Sequence, residues 1–426
     1  MPERTNMFIN AQAQDLEIAG IYKDLDANLL NLIKTNKIDP KPLMICGGST
    51  SSSCAAKGHW TLDLRHRFKK IKFFPSQNDV LIEAGVNMES LIDQLEKHKR
   101  SFPIGISGTT GIGYILTGGI SPLSRKYGLA IDQVKEVRGI WATGEKFILE
   151  KPISSSEKAH IIQWKALCGA APFLAIITHL KLKTNPLKSL RVWETSLEPD
   201  QLAETILISE GMPPEASLYW MWGKTIKAFV VLELQGNSMD NKFEEIINQL
   251  PRSKDFKTSL INNLTQLSQF NLPIPSNSAN QKQHSEVLGL LGPPLKEHSF
   301  QLIKSIEKLM QNKPNESSYI SSQQLGGATV AGKNHLSSFI HRDSMWKPWI
   351  TGSWEAGNEE QRRKSLDWIE QGWLELEKFF PGVHLAQIHP HLNWHKKEVN
   401  AAFKSWLPEL QQLKSKYDPE GILLPL

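Results

Sequence analysis

Two stretches rich in glycine and hydroxyl side chains hold the residues best suited to chemistry. One is Gly105-Ile-Ser-Gly-Thr-Thr-Gly-Ile-Gly-Tyr-Ile-Leu-Thr-Gly-Gly119, with five glycines and three threonines between Gly108 and Gly119. The other is Cys46-Gly-Gly-Ser-Thr-Ser-Ser-Ser-Cys54. So little side chain lets main-chain N–H groups approach a ligand closely, and the hydroxyls add further donors. With a helix N-terminus beside them, such groups can bind pyrophosphate, so two cradles in one chain suggest a large phosphate-bearing cofactor. Known phosphate motifs do not account for them. Gly111-Ile-Gly113 would need glycine at 116 to complete a dinucleotide fingerprint, and Leu116 stands there. Neither stretch is followed by the Gly-Lys-Ser/Thr of a Walker loop. Taken singly, each stretch also reads as a tight surface turn.

The elements that must position these loops follow from hydrophobic periodicity. Leu16, Ile21, Leu25, Leu29, Leu32 and Ile33 predict an amphipathic helix over 15–36. Pro42–Cys46 is expected to be a strand entering the first loop, and Trp60–Leu64, Ile71–Phe74 and Val80–Ala84 further strands. Asn87 is placed to cap a helix bearing Leu91, Ile92 and Leu95. The second loop enters a short helix. A hairpin over Val134–Leu149, a helix near 156–168 and a strand Leu174–Lys183 complete the first half, closed by Asn185-Pro186. Beyond it the pattern predicts an apolar hairpin over Ser217–Gly236 and helices around Phe243–Leu250 and Leu302–Leu309. Loops follow at Pro273-Ile-Pro275 and Gly292-Pro-Pro294, strands across Ser318–Trp354, and helices over 358–380 and 396–416.

Composition narrows the function classes. A chain of 426 residues, 40% hydrophobic, exceeds the usual single core, so two domains are expected. No run of about eighteen apolar residues occurs, so no membrane span is expected. The N-terminus lacks a signal-type apolar core, and three cysteines argue for a reducing, cytoplasmic compartment. The net charge of +5 is spread over interspersed residues of both signs, which argues against a nucleic-acid partner.

The order of the pieces resembles the flavin-linked oxidases with a PCMH-type FAD domain, the vanillyl-alcohol-oxidase superfamily, and within it the berberine-bridge-enzyme-like branch. Ile45-Cys-Gly-Gly-Ser-Thr50 is similar to that family's Arg-Ser-Gly-Gly-His-Ser, and Val80-Leu-Ile-Glu-Ala-Gly-Val86 to its Val-x-Val-x-x-Gly-Ala. Ser107-Gly-Thr-Thr-Gly-Ile-Gly-Tyr114 with Thr117-Gly-Gly119 resembles its Cys-Pro-Thr-Val-Gly-Val-Gly-Gly and Gly-Gly-Gly. Leu-Ser-Arg-Lys-Tyr-Gly-Leu-x-x-Asp occurs unchanged from Leu123 to Asp132. Leu174-Ala-Ile-Ile-Thr178, Leu325-Gly-Gly-Ala328 with Phe339-Ile-His-Arg342, and Lys414-Ser-Lys-Tyr-Asp-Pro419 match three further motifs. The likeness is strong over 43–186, patchy over 317–354 and clear again over 389–422.

The resemblance implies FAD as the cofactor. It carries cofactor contacts onto Gly47, Gly48, Ser49, Thr50, Ser51, Ser107, Thr109, Thr110, Gly111, Gly113, Thr117, Gly118, Ile177 and Asn393. It also marks departures. The branch often attaches flavin covalently through the first-loop His and second-loop Cys, and Ser49 and Ser107 stand there, with neither imidazole nor thiolate. Non-covalent FAD is therefore expected, with the milder redox chemistry that absence of the linkage favours. Ile45 replaces the first-loop arginine. Tyr114 replaces a glycine, either crowding the backbone approach or stacking near the isoalloxazine ring.

The family's catalytic Tyr-x-Asn-Tyr corresponds to His391-Leu-Asn393-Trp394. Two readings stand for His391. It is a general base that takes a substrate hydroxyl proton while hydride passes to flavin N5, with Asn393 binding substrate or orienting the ring; or it is a solvated loop histidine. His389, His391 and His395 have metal-ligand chemistry, but Pro390 and the absence of companion cysteines or carboxylates argue against a metal. His341-Arg342 is expected to be structural, and Asp132 to fix a turn.

The expected fold is α+β: a PCMH-type FAD-binding domain of two α/β subdomains over 1–188, an antiparallel-sheet substrate domain covered by helices over 189–384, and a segment 385–426 returning to the FAD domain. The expected function is FAD-dependent oxidation of a small hydroxylated organic substrate, with the electron acceptor unspecified. The alternative is a flavin-binding or vestigial protein without efficient turnover.

Overall fold

The expected helix over 15–36 is interrupted. In the computed structural model, which describes residues 8–234, 244–270, 282–330 and 336–426, Ala11–Asp15 and Ala27–Lys34 are helical and Gly20–Tyr22 is a strand between them. The reason is local. The Asp26 side chain accepts from Leu29 N–H and starts the second helix there. Gly20 lies flat against Trp60, where a Cβ would meet the indole at 2.4 Å. Ile21 thus joins a parallel three-stranded sheet with Trp60–Asp63 in the centre and Met44–Cys46 on its far side.

A five-stranded sheet stands beside it, ordered Ile71–Phe74, Asp79–Glu83, Ala175–Lys183, Val134–Trp141 and Lys146–Glu150, all antiparallel. Asn87 caps Met88–Glu96 by accepting from Ser90 N–H, and that helix buries Leu91, Ile92 and Leu95. The helix Lys158–Leu174 runs past the expected 156–168 but breaks at Cys168 and Gly169, the latter at φ +134°.

The second half is an antiparallel eight-stranded sheet. Its order is Lys257–Ile261, Leu190–Leu197, Ile226–Glu233, Ala216–Trp222, Tyr319–Gln324, Trp346–Glu355, Gln283–Leu291 and Gly382–Val383. Helices Pro199–Ser209, Ser299–Gln311 and Glu359–Leu376 cover one face. Ile350 fills the space over Gly372, Ile369 that over Gly352, and Trp346 Nε1 donates to Glu210 at 2.7 Å. Residues of opposite parity, including Lys347 and Trp349, therefore lie on the helix-free face. Phe243, Gly236 and Pro273-Ile-Pro275 fall outside the described residues. The tail helix expected over 396–416 is two, His395–Phe403 and Leu407–Tyr417, broken where Lys404 takes φ +41°.

The Leu123–Asp132 segment fastens the two halves. Buried Arg125 donates to Ala216 O and Met212 O at 2.7 and 2.8 Å, and Tyr127 donates to Glu233 at 2.7 Å. Asp132 does fix a turn, accepting from Leu129 N–H, and it also receives both ends of the Arg342 guanidinium at 2.9 and 2.8 Å. His341 bonds the Ala401 carbonyl oxygen. His341 and Arg342 thus hold structure together, as expected.

Candidate functional site

The two glycine loops meet backbone to backbone. A Cβ on Gly48 would lie 2.2 Å from Gly111 N, and one on Gly111 would lie 2.5 Å from Gly48 N. Only glycine permits that approach at either position. Gly111 is also the N-cap of Ile112–Leu116, and no side chain caps it. Gly113 faces open space, with no protein atom within 4 Å of where its Cβ would be. Paired loops, an uncapped helix start and room beside Gly113 together fit an extended phosphate-bearing group.

The side chains of the loops divide by use. Ser49 is buried, with φ +56°, and its Oγ accepts from Ile9 N–H at 3.0 Å and Arg65 Nη1 at 2.7 Å. Its oxygen is thus spent inside the protein. Arg65 brings a guanidinium to loop one from a different part of the chain, where Ile45 has none; it also holds Asp63 through Nε and Nη2. Ser51 Oγ accepts from Ser53 N–H, and Thr50 O receives the Asn10 amide at 3.4 Å. Ser107 Oγ and Thr109 Oγ1 lie 2.8 Å apart, and Thr110 Oγ1 donates to Ser107 O. Thr117 Oγ1 donates to Gly113 O. Tyr114 packs inward: its ring sits 3.2 Å from the Cβ position of Gly105 and 2.9 Å from that of Gly119, with its hydroxyl buried and unbonded. Gly47 lies beside Ala84 O. Gly118 faces Phe339 and His384 rather than Gly48, and Ile177 is a buried strand residue opposite Gly139.

His391 joins a buried acid–base chain whose carboxylates sequence reasoning missed. Its Nε2 lies 2.8 Å from Glu286 Oε1. His389 Nε2 lies 3.3 Å from Glu286 Oε2, and its Nδ1 lies 2.6 Å from Glu398 Oε1. Glu286 also accepts from Gln12 and from Ser52 of loop one, each at 3.1 Å. Burial alone would raise the Glu286 carboxyl, but the hydrogen bonds and charges of His389 and His391 outweigh it and hold it ionised. Burial alone would lower His389, but Glu286 and Glu398 on either side raise it to about 10. Local spacing gave no sign of Glu286, which lies in a strand far from the tail; Glu398, on the helix after His389, is the nearer signal. Asn393 is exposed beside this chain. His395 turns to Pro425 O at 3.3 Å, and among the described residues no group of three or more ligating side chains surrounds a point that could hold a metal.

The comparisons with known proteins converge on one class. Residues 27–149 match the FAD binding domain family. The chain is 24% identical to the uncharacterized FAD-linked oxidoreductase YgaK of Bacillus subtilis (strain 168), over 98% of this chain and 92% of that protein. The fold superposes on that of Physcomitrella patens BBE-like 1 with a TM-score of 0.79 at 17% identity, covering 99% of this chain and 94% of that one. A chitooligosaccharide oxidase gives 0.80 at 15% identity, covering 98% and 93%. The protein is an FAD-dependent oxidoreductase. More narrowly, its fold is that of the berberine-bridge-enzyme-like structures, the branch whose motifs the sequence resembles. No described helix is long and apolar enough to cross a membrane.

Proposed function

We propose that the protein binds FAD non-covalently and oxidises a small hydroxylated organic substrate. The observation that carries this reading is the contact of Gly48 with Gly111, flanked by Ser49 and Ser107 where covalent members have His and Cys. Backbone groups of Gly47, Gly48, Gly111 and Gly113 would hold the pyrophosphate, with Thr109, Thr110 and the Ser51 region beside them. Serine oxygen at 49 is occupied by Ile9 and Arg65, and neither serine offers a thiolate or imidazole.

FAD, when bound, supplies a two-electron acceptor at N5, to which hydride from the substrate carbon passes. Glu286 accepts from His391 Nε2–H, which leaves Nδ1 as the basic nitrogen. That nitrogen takes the proton of the substrate hydroxyl, and the oxidised carbon becomes a carbonyl. Asn393, two residues on, orients the substrate. The three cysteines, all buried and unpaired, suit the cytoplasm.

The test is anaerobic. Mixing the yellow protein with a panel of primary, secondary and benzylic alcohols should bleach the visible flavin band with at least one of them, and admission of an acceptor should restore it. A flavin that dithionite reduces but no hydroxylated compound does would overturn the substrate class.

A further inference from the structure

On the helix-free face of the large sheet, Lys347 stands opposite Gln323, which in turn stands opposite Tyr219. Trp349 follows on the same face, opposite Gly289. Lys347 is 7% exposed, and its Nζ lies 4.1 Å from the centre of the Trp349 indole. Among the described residues no carboxylate pairs with it. Burial alone, with no acidic neighbour to oppose it, draws the ammonium down to about 7.

The groups around it are also unsatisfied. Gly289 leaves a gap that Gln387 fills, its Oε1 falling 1.8 Å from where a Cβ would be, with His384 beside it. Both ring nitrogens of His384 and Gln387 Oε1 are buried without a hydrogen bond of ordinary geometry. Burial, and then the Lys347 charge, outweigh the neighbouring Gln387 side chain and hold His384 well below its ordinary value, so its ring is neutral and carries one N–H donor. Gly118 of the second loop closes against the ring, with His384 Nε2 3.7 Å from its Cβ position. This cluster therefore lies where the large sheet meets the FAD loops.

An unpaired buried ammonium is costly, and native structures seldom leave one without an anion. We infer that Lys347 and His384 form a subsite for a carboxylate carried by the substrate. The inference rests on the proposed oxidation of a hydroxylated compound and narrows it to a hydroxy acid. The Lys347 ammonium and the His384 N–H both donate to the carboxylate, a charge-assisted pairing. Trp349 and Tyr219 pack on each other with ring centres 5.6 Å apart and set one aromatic surface beside Lys347, so the acid has a compact apolar or aryl body.

The probe is benzoate, with benzamide as its uncharged counterpart, titrated into the FAD-loaded protein and followed by calorimetry and by the flavin difference spectrum. Benzoate is expected to bind at least about tenfold more tightly than benzamide, a gap of ~1.4 kcal/mol. Lys347→Met should erase that preference while leaving benzamide affinity and FAD content unchanged. Equal binding of the two probes to the wild-type protein, no binding of benzoate, or full benzoate preference in Lys347→Met would overturn the subsite. The wild-type comparison stands even if the variant does not fold. A protein that takes up no FAD would instead strike the proposed function, and calorimetry on that colourless protein would still decide the subsite.

Discussion

Gly111→Val is expected to abolish FAD retention, and Gly113→Val to weaken FAD without disturbing the fold. The two differ because the space beside them differs. At Gly111 the new Cβ lands 2.5 Å from Gly48 N and 2.8 Å from Gly48 Cα. Both are backbone atoms that no rotamer change can clear, so the loops must part. The Kd for FAD should rise at least about a hundredfold, ~2.7 kcal/mol, with a fall in melting temperature. At Gly113 no protein atom lies within 4 Å of the added Cβ. Its melting temperature without cofactor should match the wild type within about 2 °C, because surface substitutions of this kind change stability by only about half a kcal/mol. Its FAD affinity should nonetheless fall at least about tenfold. Titration of FAD into each apoprotein, with melting curves run alongside, measures both effects. If Gly113→Val bound FAD as tightly as the wild type, the space beside it would not be the cofactor's.

The second large effect is expected at His391. If its Nδ1 is the base, His391→Ala should lower kcat by about 10²–10⁴, the usual contribution of a positioned general base. FAD content should be unchanged, since no loop contact is lost. Steady-state kinetics on wild type and variant decide it. A solvated loop histidine, by contrast, would leave kcat within about twofold. Glu286 acts through His391, by fixing which nitrogen carries the proton, and is a positioning residue. Its own removal would leave the His389 and His391 imidazoles without their shared carboxylate, so stability as well as rate would suffer.

Much of the fold was legible because local signals and tertiary packing agree in it. Asn87 announces the helix it caps, Gly144 the hairpin between Val134 and Glu150, and the apolar runs on either side of Gly223-Lys224 a strand pair. Failures came where tertiary contacts override periodicity. Leu16, Ile21 and Leu25 fit a helical repeat, yet Gly20 must lie flat on Trp60 and pair as strand. The break at Lys404 had its one mark four residues on, in Pro408 at the first turn of the second helix.

The site was legible in part for the same reason. Glycines announce close backbone approach, so Gly48 and Gly111 could be named, though not that each is the other's neighbour. His391 was nameable from the tail motif. Its partner Glu286 lies 105 residues away on a sheet strand, and only the tertiary fold brings them together. Lys347 carried one overlooked cue, a charge inside the otherwise apolar Trp346-Lys-Pro-Trp-Ile350. Arg65 shows a different limit: the guanidinium missing at position 45 returns to loop one from beyond the next strand.

The visible spectrum of the purified protein, before and after acid precipitation, shows whether paired glycine loops hold FAD without a covalent bond. The native protein should be yellow, and the precipitated protein should leave its flavin in the supernatant, because Ser49 and Ser107 offer no group to attach it. A yellow pellet would show a covalent flavin, and a colourless protein that cannot be loaded with FAD would show that the glycine loops do not hold one.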